Sequence, residues 1–268
     1  MADGFADVAL ARRLESAERD SNAAFVDARA RLDPHAGAAW IDVHGTYALF
    51  DGVESPCTQT FGFALFAPPS AADLDTIERF FAERRAPVFH EVSPLADAAH
   101  LDLLGDRGYR PVETSNVLYR PLREAPAPPV DGRVEARLAE DRDEWARTLA
   151  EGWSDQPAVA ALVGDLARVL ASRVDGPLFV AVEGGRAIAA ASLWMAGGVA
   201  LLAGASTSPS ARGRGAQSAL LAARLAFARA RGCDLAMVVA LPGSGSQRNA
   251  ERNGFRVAYT RTKWRLAR

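Results

Sequence analysis

The sequence predicts an α/β protein built from two tandem modules, and three observations carry that expectation. The chain has 268 residues, 49% hydrophobic and 24% charged, which at about 100–200 residues per domain is enough for two cores. The stretch Arg123–Gly132, REAPAPPVDG, interrupts any helix or central strand with three prolines and reads as a linker between domains 1–122 and 133–268. Finally, Arg107-Gly108-Tyr109-Arg110-Pro111-Val112 and Asn253-Gly254-Phe255-Arg256-Val257 lie at a constant offset of 146.

In the first module, Asp7–Arg31 spaces Leu10, Leu14, Ala17, Ala24 and Ala28 among charged residues, a helical pattern. Ala39–Phe50 and Thr58–Phe66 alternate as strands do. Asp73–Arg85 returns to helix with Leu74, Ile77, Phe80 and Phe81 on one side; Pro87–Val92 is a short strand, and a further helix follows. In the second module, Asp141–Glu151 and Pro157–Arg173 read as helices. Leu178–Val182 and Ala187–Trp194 are strands around a Glu183-Gly184-Gly185 turn, and Val199–Ala205 is another. Gln217–Arg231 is a long helix whose Leu221, Leu225 and Ala228 share a face, with Arg224 and Arg231 turned away. Leu235–Leu241 is a strand, Ser246–Asn253 a short helix and Phe255–Leu266 a β-rich end. The 146 shift carries Asp73–Arg85 onto Ala219–Arg231 and Pro87–Val92 onto Cys233–Val238, so one duplication accounts for the order of both halves. The alternative is two unrelated α/β domains that align by chance.

Composition narrows the function. A formal net charge of −2 gives no footprint for nucleic acid or a membrane surface. Cys57 and Cys233 form no Cys-x-x-Cys pair, and His35, His44, His90 and His100 never reach His-x-x-x-His spacing, so no metal is expected. No apolar run approaches the roughly 18–20 residues of a membrane span, and Met1–Ala30 lacks the apolar stretch of a signal peptide. A reducing cytoplasm is the expected compartment.

The most informative stretch is Ala205–Leu221, ASTSPSARGRGAQSALL, between a strand and an amphipathic helix. Pro209 interrupts pairing, and Gly213 and Gly215 let the backbone bend close to a ligand. The amides of Gly215, Ala216 and Gln217 then point outward at the helix N-terminus, with Arg212 and Arg214 adding positive charge. These features suit a diphosphate; the plainer alternative is an ordinary helix start with flexible glycines. A P-loop needs Gly-Lys-Ser/Thr, and the one lysine is Lys263. A dinucleotide fingerprint needs a third glycine where Ser218 stands, and Asp234 precedes the next strand instead of ending it.

Arg212-Gly213-Arg214-Gly215-Ala216-Gln217 resembles the acetyl-CoA loop of the GNAT acyltransferase superfamily, whose pattern is R/Q-x-x-G-x-G/A. Arg212 and Gly215 match, and Gln217 stands where a small residue is usual. The likeness covers about Val134–Leu266, with Gly254-Phe255 as a second match. It implies tandem domains with mixed, mostly antiparallel sheets flanked by helices. It also implies a strand pair, Val199–Ser206 and Leu235–Leu241, that splays to admit pantetheine. The cofactor would be acetyl-CoA, held by Ala205, Thr207, Arg212, Gly213, Arg214, Gly215, Ala216, Gln217 and Ser218, with Ser246, Gln247 and Asn249 toward its far end or acting only as capping and solvated residues.

The reaction the resemblance implies is transfer of an acetyl group to the amine of a small acceptor, directly and without a covalent intermediate. The family's usual tyrosine, four residues before Gly-Phe, is replaced by Ala250, so no general acid carries over, and Ala200–Ala205 holds no carboxylate to act as base. Catalytic residues therefore stay unassigned. Trp153 and Asp155, with Glu151, fall where the family has its acceptor pocket; the competing readings are a core aromatic and solvated carboxylates. Cys233 opens a strand and reads as core. In the first module the 146 shift sets Pro68 and Pro69 opposite Arg214 and Gly215, which removes two donors and predicts a degenerate copy that does not bind CoA. The rival to an enzyme is an acetyl-CoA-binding sensor or regulatory module without catalysis.

Overall fold

The computed structural model describes residues 6–122 and 132–267 and divides the chain into two compact units. The expected linker Arg123–Gly132 lies outside the described residues except for Gly132. Unit 1 holds 1–118, 239–247 and 257–268; unit 2 holds 119–238 and 248–256. The division thus differs from the expected 1–122 and 133–268. The last strand of the second repeat folds into unit 1, because it pairs antiparallel with a strand there, from Thr262 with Val92 to Arg265 with Phe89.

Unit 1 begins with α1, Val8–Leu32, N-capped by the Asp7 side chain. The hairpin β1, Ala39–Val43, and β2, Thr46–Phe50, turns at His44 and Gly45, both left-handed at φ 52° and 87°. The expected long strand Thr58–Phe66 shrinks to β3, Gln59–Phe61. Gly62 and Ala64 take φ of 76° and 59°, which turns the chain out of the sheet. Then follow α2, Ala71–Ala82, β4, Phe89–Val92, α3, Ala99–Asp106, and β5, Tyr109–Pro121. The strand order in this unit is β1-β2-β3-β4-β11-β5, where β11 is Arg256–Leu266. Leu74, Ile77, Phe80 and Phe81 of α2 enter the core against Phe63, Val92 and Tyr109, as their spacing predicts.

Unit 2 contains β6, Glu135–Leu138, α4, Arg142–Glu151, and α5, Pro157–Ser172. The hairpin β7, Leu178–Glu183, and β8, Arg186–Ala196, has the predicted two-glycine turn with Gly184 and Gly185 at φ 59° and 81°. β9, Val199–Thr207, and α6, Ala216–Ala230, follow, then β10, Leu235–Ala240, and α7, Gly245–Arg252, of which 235–238 and 248–252 belong to this unit. The strand order is β10-β9-β8-β7-β6, with β10 parallel to β9 and the remaining pairs antiparallel. Trp145 anchors the core, fully buried, its indole N–H shared between the carbonyls of Phe179 and Ala191 at 3.1 Å each. Arg224, expected to face outward, is buried instead: Nη1 donates to the Ser192 carbonyl at 3.1 Å, and burial lowers its pKa to about 10.

The 146 offset holds over the later elements of each half, from α2 on α6 and β4 on β10 to β5 on β11, whereas β1 and β2 both fall on β8. The 146 shift places α3, Ala99–Asp106, on α7, Gly245–Arg252. Each ends in a left-handed glycine, Gly108 and Gly254, followed by a buried aromatic, Tyr109 and Phe255. At the second copy the Phe255 amide returns to the Ala250 carbonyl at 3.1 Å, the bond that closes a helix through a glycine stop.

Candidate active site

The site is built where β9 leaves β10. The parallel register pairs Leu235 with Val199, Ala236 with Ala200 and Met237 with Leu201, while β9 runs on to Thr207. On its other edge β9 carries a bulge against β8, between Ser192 with Ala203 and Ala190 with Ser206. Gly204 at φ 51° supplies the extra residue, and Ala203, Gly204 and Ala205 are exposed. A glycine inside an apolar strand pattern was the available signal for this bulge. The result is a stretch of small side chains whose main chain approaches solvent.

Beyond β9, Pro209–Ala211 makes a single tight turn and the chain enters α6 through Gly213 and Gly215, left-handed at φ 79° and 85°. Nothing lies within 4 Å of where a Cβ would stand on either glycine. Among the described residues no side chain caps α6. Its first internal bond runs from the Ala219 amide to the Gly215 carbonyl, leaving the amides of Ala216, Gln217 and Ser218 at the open end. The Ser208 hydroxyl, just before the bend, is buried and has no hydrogen-bond partner among the described residues. Uncapped amides, a positive dipole end and an unpartnered hydroxyl are a fit for an anionic group such as a diphosphate.

The structure gives the loop's side chains other partners. Arg212 donates to Asp155 at 2.6 and 3.1 Å and to the Gly152 carbonyl at 2.8 Å. Arg214 bonds Glu183 and the Ser210 carbonyl, at 2.8 and 2.9 Å. Gln217 reaches back to the Thr207 hydroxyl at 2.8 Å. The Asp155 carboxyl is held below the usual carboxylate range, chiefly by the hydrogen bonds from Arg212. Two predicted site residues, Arg212 and Asp155, are therefore brought together. Glu151 pairs with Arg186 at 2.9 Å, and Trp153, half-buried, lies within the α4–α5 turn.

Ser246 and Gln247 lie in the 239–247 segment of unit 1, where Gln247 accepts from the Gly243 amide at 2.7 Å and from Asn116 at 3.2 Å. Asn249 lies on α7 in unit 2 and accepts from Asn253 through its carbonyl at 2.7 Å. Ala250 is buried, and Tyr259 is committed elsewhere, its hydroxyl donating to Glu15 at 2.9 Å within unit 1. The α4–α5 turn held residues that spacing did not reveal. A Cβ on Gly152 would come within 2.3 Å of Ser206 Oγ, and that hydroxyl donates to the Leu149 carbonyl at 2.7 Å.

Residues 138–255 match the family model described as Acetyltransferase (GNAT) family. This segment is a GNAT-family domain. The solved structures agree in fold. A GCN5-related N-acetyltransferase from Kribbella flavida superposes with a TM-score of 0.65 at 20% identity, covering 100% of this chain and 97% of that one. A tandem GNAT protein from the clavulanic acid biosynthesis pathway gives a TM-score of 0.60 at 14% identity, covering 83% and 79%. A GCN5-related N-acetyltransferase from Sphaerobacter thermophilus gives 0.58 at 21% identity, covering 77% and 71%. No curated protein matches in sequence. The GNAT domain therefore contains the bend, the bulged β9 and the α4–α5 turn, and among the described residues no helix is long and apolar enough to cross a membrane.

Proposed function

We propose that the GNAT domain transfers an acetyl group from acetyl-CoA to the amine of a small acceptor. The observation that carries this reading is the uncapped start of α6 behind two left-handed glycines, beside a β9 edge that has parted from β10. Bound there, acetyl-CoA supplies a thioester-activated acetyl group. The amides of Ala216, Gln217 and Ser218 would hold the diphosphate, and the main chain at the Gly204–Ala205 bulge would offer hydrogen-bond partners to the pantetheine arm.

The protein's own contribution to the chemistry is mainly placement. Ala250 and Ala200–Ala205 offer no acid or base, and Tyr259 is held by Glu15. A thiolate with a solution pKa near 8.5 leaves with modest help, so orientation of a neutral amine against the thioester supplies most of the acceleration. Unit 1 is read as a copy that does not bind CoA. Its equivalent helix α2 is closed by its own capping box, with the Asp73 amide donating to Ser70 Oγ at 3.2 Å and the Ser70 amide to Asp73 at 2.9 Å. That cap takes the Asp73 and Ser70 amides and places a carboxylate where an anion would sit.

The missing acid favours a second reading, an acetyl-CoA-binding module without turnover. Thiol release from acetyl-CoA with a panel of primary amines, alongside calorimetric binding, separates the two. Saturable, amine-dependent release supports the transferase, binding with no release for any amine supports the sensor, and no binding overturns both.

A further inference from the structure

We infer that Asp155 is a positioning residue that, through Arg212, makes the α4–α5 turn and the bend at Ser208–Gly215 one body. The inference rests on the bend being the anchor for acetyl-CoA and goes beyond it, because it changes what Arg212 does. An arginine in a glycine-rich anion loop reads as a phosphate ligand. Here both terminal nitrogens of its guanidinium are engaged within the protein: Nη1 on Asp155 Oδ2 at 2.6 Å, and Nη2 on Asp155 Oδ1 at 3.1 Å and the Gly152 carbonyl at 2.8 Å. A two-pronged arginine–carboxylate pair fixes direction as well as charge.

Two further ties join the same pieces. The Ser206 hydroxyl donates to the Leu149 carbonyl at 2.7 Å, and Gly152 packs so closely that an added Cβ would lie 3.0 Å from the Thr207 amide. Arg212 itself is extended, at φ −62° and ψ 148°, immediately before the first left-handed glycine. Fixing its side chain therefore fixes how the chain enters the bend, and with it the aim of the α6 amides. The acceptor side, Gly152–Asp155, and the cofactor side, Ser206–Gly215, share one strut. The side chains are 47% and 41% exposed, so solvent screens the pair and each change acts by a few-fold.

The test compares the full chain with Arg212→Ala, Asp155→Asn, Asp155→Glu and the Arg212→Ala/Asp155→Asn double variant. The readouts are acetyl-CoA affinity by calorimetry and amide hydrogen exchange without ligand. Arg212→Ala and Asp155→Asn should each weaken binding by a similar factor, about three- to fivefold, with the double variant no worse than either and Asp155→Glu partly restored. Each should also speed exchange in both 152–156 and 208–218. Tighter or unchanged binding in Asp155→Asn alongside weaker binding in Arg212→Ala would make Arg212 a phosphate ligand and overturn the inference. A lowered melting temperature with affinity and exchange unmoved also overturns it, by reducing the pair to a stabilising contact. If wild type binds no acetyl-CoA, the functional reading fails, and the exchange comparison alone decides whether the pair couples the two segments.

Discussion

The side-chain amide of Gln217 donates to the Thr207 hydroxyl across 2.8 Å, tying the first turn of α6 to the last residue of β9. The loop between them is thereby pinned at both ends, and a residue bulkier than the family's usual choice becomes a strap instead of an obstruction. Gln217→Ala should loosen the loop and weaken acetyl-CoA binding by about two- to fivefold in calorimetry, the size expected of one neutral hydrogen bond. Tighter binding would mean that the glutamine crowds the diphosphate.

Gly215 sits at φ 85° with open space around it, so any cost of a side chain there comes from the backbone alone. Gly215→Ala should lower stability by about 1–2 kcal/mol in chemical denaturation and weaken acetyl-CoA binding as the amides turn away. Full stability with normal affinity would show that the bend tolerates another backbone.

Gly152 fails for the opposite reason. Its φ is ordinary, at −60°, but a Cβ would lie 2.3 Å from Ser206 Oγ and 2.4 Å from Ser206 Cβ. Gly152→Ala should therefore cost about 1–3 kcal/mol by forcing α4 away from β9. Gly213→Ala should strain only the backbone of the bend, which has room for the added methyl.

Unit 1 carries a buried charge cluster that sets a pH dependence. Arg261 bonds Glu15 at 3.1 Å and Glu91 at 2.6 Å and also contacts Glu18, while Lys263 lies 3.7 Å from Glu91 and 3.3 Å from Glu113. Burial raises the Glu15 carboxyl to about 7 from 4.5, against the pull of Arg261 and the Tyr259 hydrogen bond, with Glu18 and Glu91 adding to the rise. Between those values the folded chain holds more protons than the unfolded one, so Glu15 makes stability fall as pH rises through that window. His90 works the other way: burial lowers it to about 3 from 6.5, so its share of stability rises with pH between those values. Burial also raises Glu91, whose contribution has the same sign, so Glu15→Gln should make the fall in stability with rising pH shallower without abolishing it, read as denaturation midpoints from about pH 5 to about pH 8. A steeper decline in the variant would contradict the assignment.

The 146-residue offset was legible because helices and glycine stops leave periodic marks: Gly108-Tyr109 and Gly254-Phe255 are spaced by it and follow α3 and α7. The bend at Gly213 and Gly215 was legible because few other residues take that backbone. What the sequence hid was long-range partnership. Nothing local tells that Arg224 turns inward to the Ser192 carbonyl, that Arg212 meets Asp155, or that β11 pairs with β4. Charged residues spaced along a helix read as solvated until a distant strand supplies the acceptor. Gly152 gave no sign, because its requirement comes from Ser206 and Thr207, more than 50 residues away in sequence.

The most direct test of the central claim follows the main-chain amides themselves. In amide nuclear magnetic resonance spectra of the full chain titrated with acetyl-CoA, the signals of Gly215, Ala216, Gln217 and Ser218 should show the largest saturable shifts. The α2 start, where Ser70 caps the Asp73 amide and the Asp73 carboxylate repels an anion, should stay still. Saturable shifts elsewhere, with the α6 amides unmoved, would contradict the account.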